Sequence, residues 1–240
     1  MEDERAFRLL KGSTKRLPGK NAFESGILWR ESSPTIPNNR QAAEAHLRSL
    51  EKRFERDPTL ALAYQASIES DVANGYIRKT TKEEITNLDD SASTMAYYLL
   101  HHPVRNPKRP GKVRCVYNAA AKFQGKCLND FIYCGPDLLG SLFGILLRFR
   151  QGLITLCADV KDMYLMLYVR PEDKPALRFL YRSNKPQQPD VYQCQRRIFG
   201  ECSAPACANY TVLINADEHR NEFPRAAASL KNNRYMDDTP

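Results

Sequence analysis

The residues with the most chemistry per position close the chain: Arg234-Tyr235-Met236-Asp237-Asp238-Thr239-Pro240. Two adjacent carboxylates repel each other unless positive charge sits beside them. A divalent cation is the usual neutraliser, and hard cations such as Mg²⁺ take oxygen ligands. An exposed acidic turn is the plainer reading of the pair, so it needs a partner elsewhere. Leu153-Ile154-Thr155-Leu156-Cys157-Ala158 supplies one. This apolar run of β-formers ends at Asp159 and reads as a buried strand that delivers a carboxylate at its C-terminal end. Two strands lying side by side would bring Asp159 and Asp237 together. Carboxylates around two cations would clamp a phosphoryl transfer, one metal activating the attacking oxygen and the other steadying the leaving oxygen.

The phrases around these acids carry a resemblance. Ala158-Asp159-Val160, with Tyr164 five residues after Asp159, and then Tyr235-Met236-Asp237-Asp238 resemble motifs A and C of reverse transcriptases. Tyr97-Tyr98-Leu99-Leu100-His101-His102-Pro103-Val104, Lys112-Val113-Arg114-Cys115-Val116-Tyr117-Asn118, Leu128-Asn129-Asp130, Gly135-Pro136-Asp137-Leu138-Leu139, Ile145 to Arg150, Leu177-Arg178-Phe179-Leu180 and Phe199-Gly200 follow in the order seen in the Pao/BEL type of LTR retrotransposon. The resemblance implies an α+β, right-hand polymerase fold: fingers and an antiparallel palm sheet packed on helices. It implies RNA-directed DNA synthesis, a primer 3′-hydroxyl attacking a deoxynucleoside triphosphate on an RNA or DNA template. By the same resemblance Asp159 and Asp237 hold two Mg²⁺ ions, or Mn²⁺ in their place, helped by the Val160 carbonyl, while Asp238 supports the second metal or the fold. Arg114, with Lys112 as a second candidate, grips the triphosphate. Tyr164 is the steric gate against a 2′-hydroxyl; otherwise it is one more half-buried aromatic. Phe199-Gly200-Glu201-Cys202-Ser203-Ala204-Pro205 resembles motif B, which places Pro205 beside the nascent base pair. The family favours Ser immediately before that Pro and an acidic residue at Asn118; here Ala204 and Asn118 stand instead. The second strand of the Asp237 hairpin is expected to be absent, with the chain stopping short of a thumb. Two other readings stay open: a nucleic-acid-binding remnant without polymerisation, and a decayed element with no selected role.

Composition sets the bounds. The 240 residues leave room for one large or two modest domains with a real core. A hydrophobic share of 42% fits a globular chain rather than a disordered one. A net charge of +8 favours polyanionic partners, nucleic acid first among them. Seven Cys without a Cys-x-x-Cys pair point to reduced thiols in an intracellular, cytoplasmic setting, not to a disulfide frame or a zinc site. No apolar run reaches a membrane span, and the charged start Met1-Glu2-Asp3-Glu4-Arg5 is no secretory signal.

The elements that must position the acids fall into three stretches. Residues 1–37 lack clear periodicity and read as a basic, linker-like segment. Residues 38–95 read as helical support. Ala43, Leu47, Leu50 and Phe54 recur at helical spacing after an Asn38 or Asn39 cap, and Leu60, Tyr64, Ile68 and Val72 do so after Asp57-Pro58. Thr80-Thr81-Lys82-Glu83-Glu84 offers a further helix start. Residues 96–240 read as fingers and palm. Strands are expected at Tyr97–Leu100, 113–118, 153–159, 177–182, 191–199 and 234–237. A helix after Gly135-Pro136-Asp137 should bury Leu138, Leu142, Ile145, Leu146 and Phe149, and another should run from Ala206 to about His219. The 177–182 and 191–199 strands should form a hairpin beside the strand of Asp159. His101-His102 is read as structural, because neighbours on an extended chain face opposite ways.

Overall fold

The computed structural model describes residues 2–32, 34–89, 95–105, 111–183 and 188–239. Most of the Pro-rich basic loop at 106–112, and the tip of the turn after Arg182, lie outside the described residues.

Helix α1 (Glu2–Ser13) opens on Glu2, Asp3 and Glu4 and closes near Lys11, the charge order that suits a helix dipole. Strands β1 (Lys15–Arg16) and β2 (Phe23–Ser25) pair antiparallel. The segment expected to be linker-like is therefore folded, and every residue from Phe23 to Trp29 is buried. Polar residues disguised it. Glu24 is buried because Lys15 meets it at 3.3 Å, and Ser25 because its hydroxyl accepts from Arg197 at 3.0 Å.

Helices α2 (Arg40–Arg56) and α3 (Pro58–Ala73) form the expected pair. Asp57 accepts from the Leu60 amide at 3.0 Å and Pro58 sits in the first turn, so a single link ends one helix and caps the next. Asn39 precedes α2 without capping it. Its side chain instead brackets Tyr98, accepting from the amide and donating to the carbonyl, each at 2.8 Å. After β3 (Ile77–Lys79), helix α4 (Lys82–Asp89) starts with the expected capping box: the Thr81 amide donates to Glu84 Oε2 at 2.9 Å, and the Glu84 amide to Thr81 Oγ1 at 3.3 Å.

Strands β4 (Leu100–Arg105) and β5 (Val113–Asn118) form an antiparallel ribbon. The strand expected at Tyr97–Leu100 thus begins at its last residue. His101 is buried and His102 only half-buried, so the two diverge as an extended chain requires. Helix α5 (Leu142–Phe149) buries Ile145 alone; Leu142 and Leu146 are exposed, and the broad apolar face expected there is not packed. Next come β6 (Ala158–Asp159), β7 (Leu167–Val169), β8 (Arg178–Tyr181), β9 (Asp190–Cys194), α6 (Ala204–Glu218), α7 (Pro224–Asn232) and β10 (Asp238–Thr239). The expected hairpin of β8 with β9 forms, but its third strand is β3, not the strand of Asp159. Strand β2 runs parallel to β7, and β6 pairs with β10. The main core joins α3 to the β3–β9–β8 sheet and the β4–β5 ribbon through Tyr64, His101, Tyr117 and Phe179. Among the described residues, no helix is long and apolar enough to cross a membrane.

Candidate functional site

Strand β10 returns antiparallel to β6 and sets Asp238 directly opposite Asp159. Side chains at opposed positions share a face, with Cβ atoms about 4.5–5.5 Å apart, and like charges there destabilise the pair. Asp237 joins them through the backbone: its carbonyl accepts from the Val160 amide at 2.8 Å. All three carboxylates are exposed, and none forms an ion pair with another described residue. The turn between them is tight. Tyr235 and Asp238 exchange backbone hydrogen bonds of 2.8 and 3.1 Å, which leaves Met236 and Asp237 as the two turn residues. Met236 takes a φ of 56°, a left-handed conformation that is uncommon for a non-glycine residue.

The turn is held from the side of α6. Arg234 is buried and donates through Nη1 to the Met236 carbonyl at 2.6 Å and to Asn209 Oδ1 on α6 at 2.5 Å. Burial pushes its guanidinium below the usual arginine range. Met163, Tyr164, Ala204 and Ala208 form a small apolar cluster, with Val160 and Met236 against its edge. Residues from the resembled motifs A, B and C therefore meet here. Tyr164 is only 8% exposed and meets Phe199 edge-on, with ring centroids 4.6 Å apart. Burial first, and the charge of Asp237 second, raise its phenol above the ordinary tyrosine range. Pro205 occupies the first turn of α6, where its missing N–H is not needed.

A buried knot fixes the approach to α6. Arg197, fully buried, donates to Glu201 Oε1 at 2.5 Å, to Ser203 Oγ at 3.3 Å and to Ser25 Oγ at 3.0 Å. The Ser203 hydroxyl also bonds the Glu201 carboxylate, so it is tied into the support. Gly200 has a φ of 104°, and a Cβ there would stand 2.7 Å from the Tyr117 carbonyl oxygen. Only glycine lets the loop lie this close to β5. Arg114 and Lys112 are exposed on and beside β5. That ribbon is separate from the β6–β10 pair, and neither cation forms an ion pair with the three aspartates.

The apolar run before Asp159 does not form the expected buried strand. Leu153, Ile154 and Leu156 are 106%, 86% and 82% exposed, and only Ala158 and Asp159 are strand. Strand β6 has β10 as its neighbour, and among the described residues no layer covers the run. Sequence reasoning missed Arg234 and Asn209 as the brace of the turn. Arg234 stands three residues before Asp237, and nothing in that spacing says that it points inward. The donor set suits a hard cation, with carboxylates free of protein partners. Among the described residues, however, no group of three or more His, Cys, Asp or Glu is already gathered to hold one.

No protein-family model and no curated protein matches the chain. Solved structures do. Native prototype foamy virus protease–reverse transcriptase aligns over 76% of this chain and 20% of its own, at 18% identity and a TM-score of 0.52. A foamy viral protease–reverse transcriptase "dRH" in complex with double-stranded DNA aligns over 73% of this chain and 25% of its own, at 16% identity and a TM-score of 0.44. The chain spans a fifth to a quarter of these proteins. The fold is a mixed α+β, reverse-transcriptase-like one.

Proposed function

We propose that the chain is the fingers-and-palm part of a Pao/BEL-type RNA-directed DNA polymerase that extends a primer with deoxynucleotides on an RNA or DNA template. One observation carries this reading: the β6–β10 pairing that sets Asp159 against Asp238, with Asp237 at the turn. Opposed, exposed carboxylates cost stability unless a cation sits between them. Asp159, Asp237 and Asp238, with the Val160 carbonyl, are the residues that would hold two Mg²⁺ ions; bound there, the ions would activate the 3′-hydroxyl and neutralise charge on the phosphoryl oxygens. Tyr164, whose phenol feels the charge of Asp237, is the residue whose ring would pack under the sugar and leave no space for a 2′-hydroxyl. Arg114 forms bidentate bonds to a triphosphate, with Lys112 adding charge. Pro205 starts the helix that borders the new base pair. The net charge of +8 tracks the phosphate backbone without reading sequence.

A second reading, nucleic-acid binding without chemistry, is supported by the net charge of +8, which attracts a phosphate backbone without using the aspartates. Primer extension with Mg²⁺ separates the two. The polymerase reading expects wild type to extend a primer, and Asp237→Asn to reduce the rate roughly a thousandfold. Equal incorporation by both proteins contradicts the assignment of Asp237. Salt-sensitive binding of primer–template with no extension by wild type selects the second reading.

A further inference from the structure

On the side built by α1, a cavity of about 510 Å³ opens between the helix, the chain after β2 and the segment at Tyr133. Arg5, Arg8, Trp29, Arg30, Tyr133 and Arg170 line it. None belongs to the β6–β10 pair, to α6 or to β5. Arg170 is built in. Its guanidinium lies on the Gly26 backbone, where a Cβ would come within 2.5 Å of it, and its Nε and Nη2 reach Asp173 at 3.2 and 3.1 Å. Buried Asp173 also receives the Trp29 indole N–H and the Ile27 amide, each at 2.7 Å. Arg30 is set over the Tyr133 ring, 4.7 Å from its centroid, and donates to Glu2 at 2.8 Å. Arg5 and Arg8 differ. They stand three residues apart on one face of α1, both exposed, and neither pairs with a described carboxylate. Like charges at that spacing repel, and an anion between them removes the repulsion.

We propose that this cavity is a nucleotide-binding subsite separate from the acid hairpin. Arg5 and Arg8 take the phosphate, and the base lies against the outer face of the Arg30–Tyr133 stack. Guanidinium forks match phosphate oxygens, and guanidinium planes and aromatic rings are the surfaces on which bases stack. The volume lies in the range of small-ligand pockets. The nucleotide unit is either free or part of a single strand. The inference goes beyond the polymerase reading and stands without it, because binding here needs none of the three aspartates.

Trp29 is the chain's single tryptophan and lines the cavity, so its fluorescence reports on occupancy. The full chain is titrated with dAMP, with a single-stranded oligothymidylate and with inorganic phosphate. A saturable change in Trp29 emission is expected with dAMP or the oligonucleotide, and binding of phosphate alone should be roughly tenfold weaker or more. Arg5→Gln with Arg8→Gln should weaken nucleotide binding by about tenfold or more. Glu31→Gln, which removes a carboxylate from the rim, should tighten it. Asp237→Asn should leave it unchanged, which separates this site from the polymerase one. A lower midpoint per nucleotide for the oligonucleotide assigns the site to a strand, and equal midpoints assign it to free nucleotide. No saturable change, equal affinity in the double variant, or phosphate binding as tightly as dAMP overturns the proposal.

Discussion

The β3–β9–β8 sheet with its helices and the β6–β10 pair carrying the acids are built in opposite ways. In the first, Tyr64, Ile68, Phe179 and Val191 are all at most 2% exposed, and α2 and α3 supply a layer of side chains. In the second, two residues pair with two, and the apolar run leading into them lies open. An isolated two-stranded hairpin is marginal in water, so the acids cannot be placed by their own strands. They are placed from α6, through Arg234 and the cluster around Tyr164. Position at this site therefore comes from a polar brace and a small apolar cluster, whereas the fold itself comes from a broad packed layer.

The largest expected effect falls on such a brace. Arg197→Met strands Glu201 without its partner, and loss of one member of a buried ion pair costs about 3–5 kcal/mol. Urea unfolding checks this, and adding Glu201→Leu should recover most of the loss.

The second effect is on the packed side. Burial first holds the His101 imidazole down near a pKa of about 4, partly opposed by the Leu180 carbonyl that its Nε2 meets at 2.8 Å. The native state then binds fewer protons than the unfolded chain between that value and the usual 6.5. The contribution is full above 6.5 and lost as pH falls through 4, a loss on the order of 3 kcal/mol. Urea midpoints between pH 7 and pH 4 should show it, and His101→Gln should flatten the slope.

The smallest effect sharpens the contrast. Leu153→Ser with Ile154→Ser replaces apolar residues that nothing covers, and unfolding free energy should move by no more than about 0.5 kcal/mol. A larger loss would mean that the run is packed after all.

The same contrast explains what could be read from the sequence. Helices α2 and α3, the capping box of α4, strand β5 and helix α6 were legible because spacing, caps and burial agree there. Helix α1 was not, since its inward face is only Ala6 and Leu10. Strand β2 was hidden by Glu24 and Ser25, polar residues buried through partners distant in sequence. The run from Leu153 misled in the other direction, because apolar composition says that a segment prefers burial, not that a layer exists to bury it. That the two acidic motifs lie on neighbouring strands was expected, but the register sets Asp238 rather than Asp237 opposite Asp159, and the return strand expected to be absent is β10. The Arg234–Asn209 brace was not legible, because it depends on tertiary placement.

The most direct test of the central claim is Mn²⁺ binding, followed by loss of the free-ion signal in electron paramagnetic resonance. Wild type should take up Mn²⁺, and Asp159→Asn and Asp238→Asn, on opposite strands, should each weaken uptake roughly tenfold or more. Equal uptake by all three proteins would contradict a shared cation site at the β6–β10 pair.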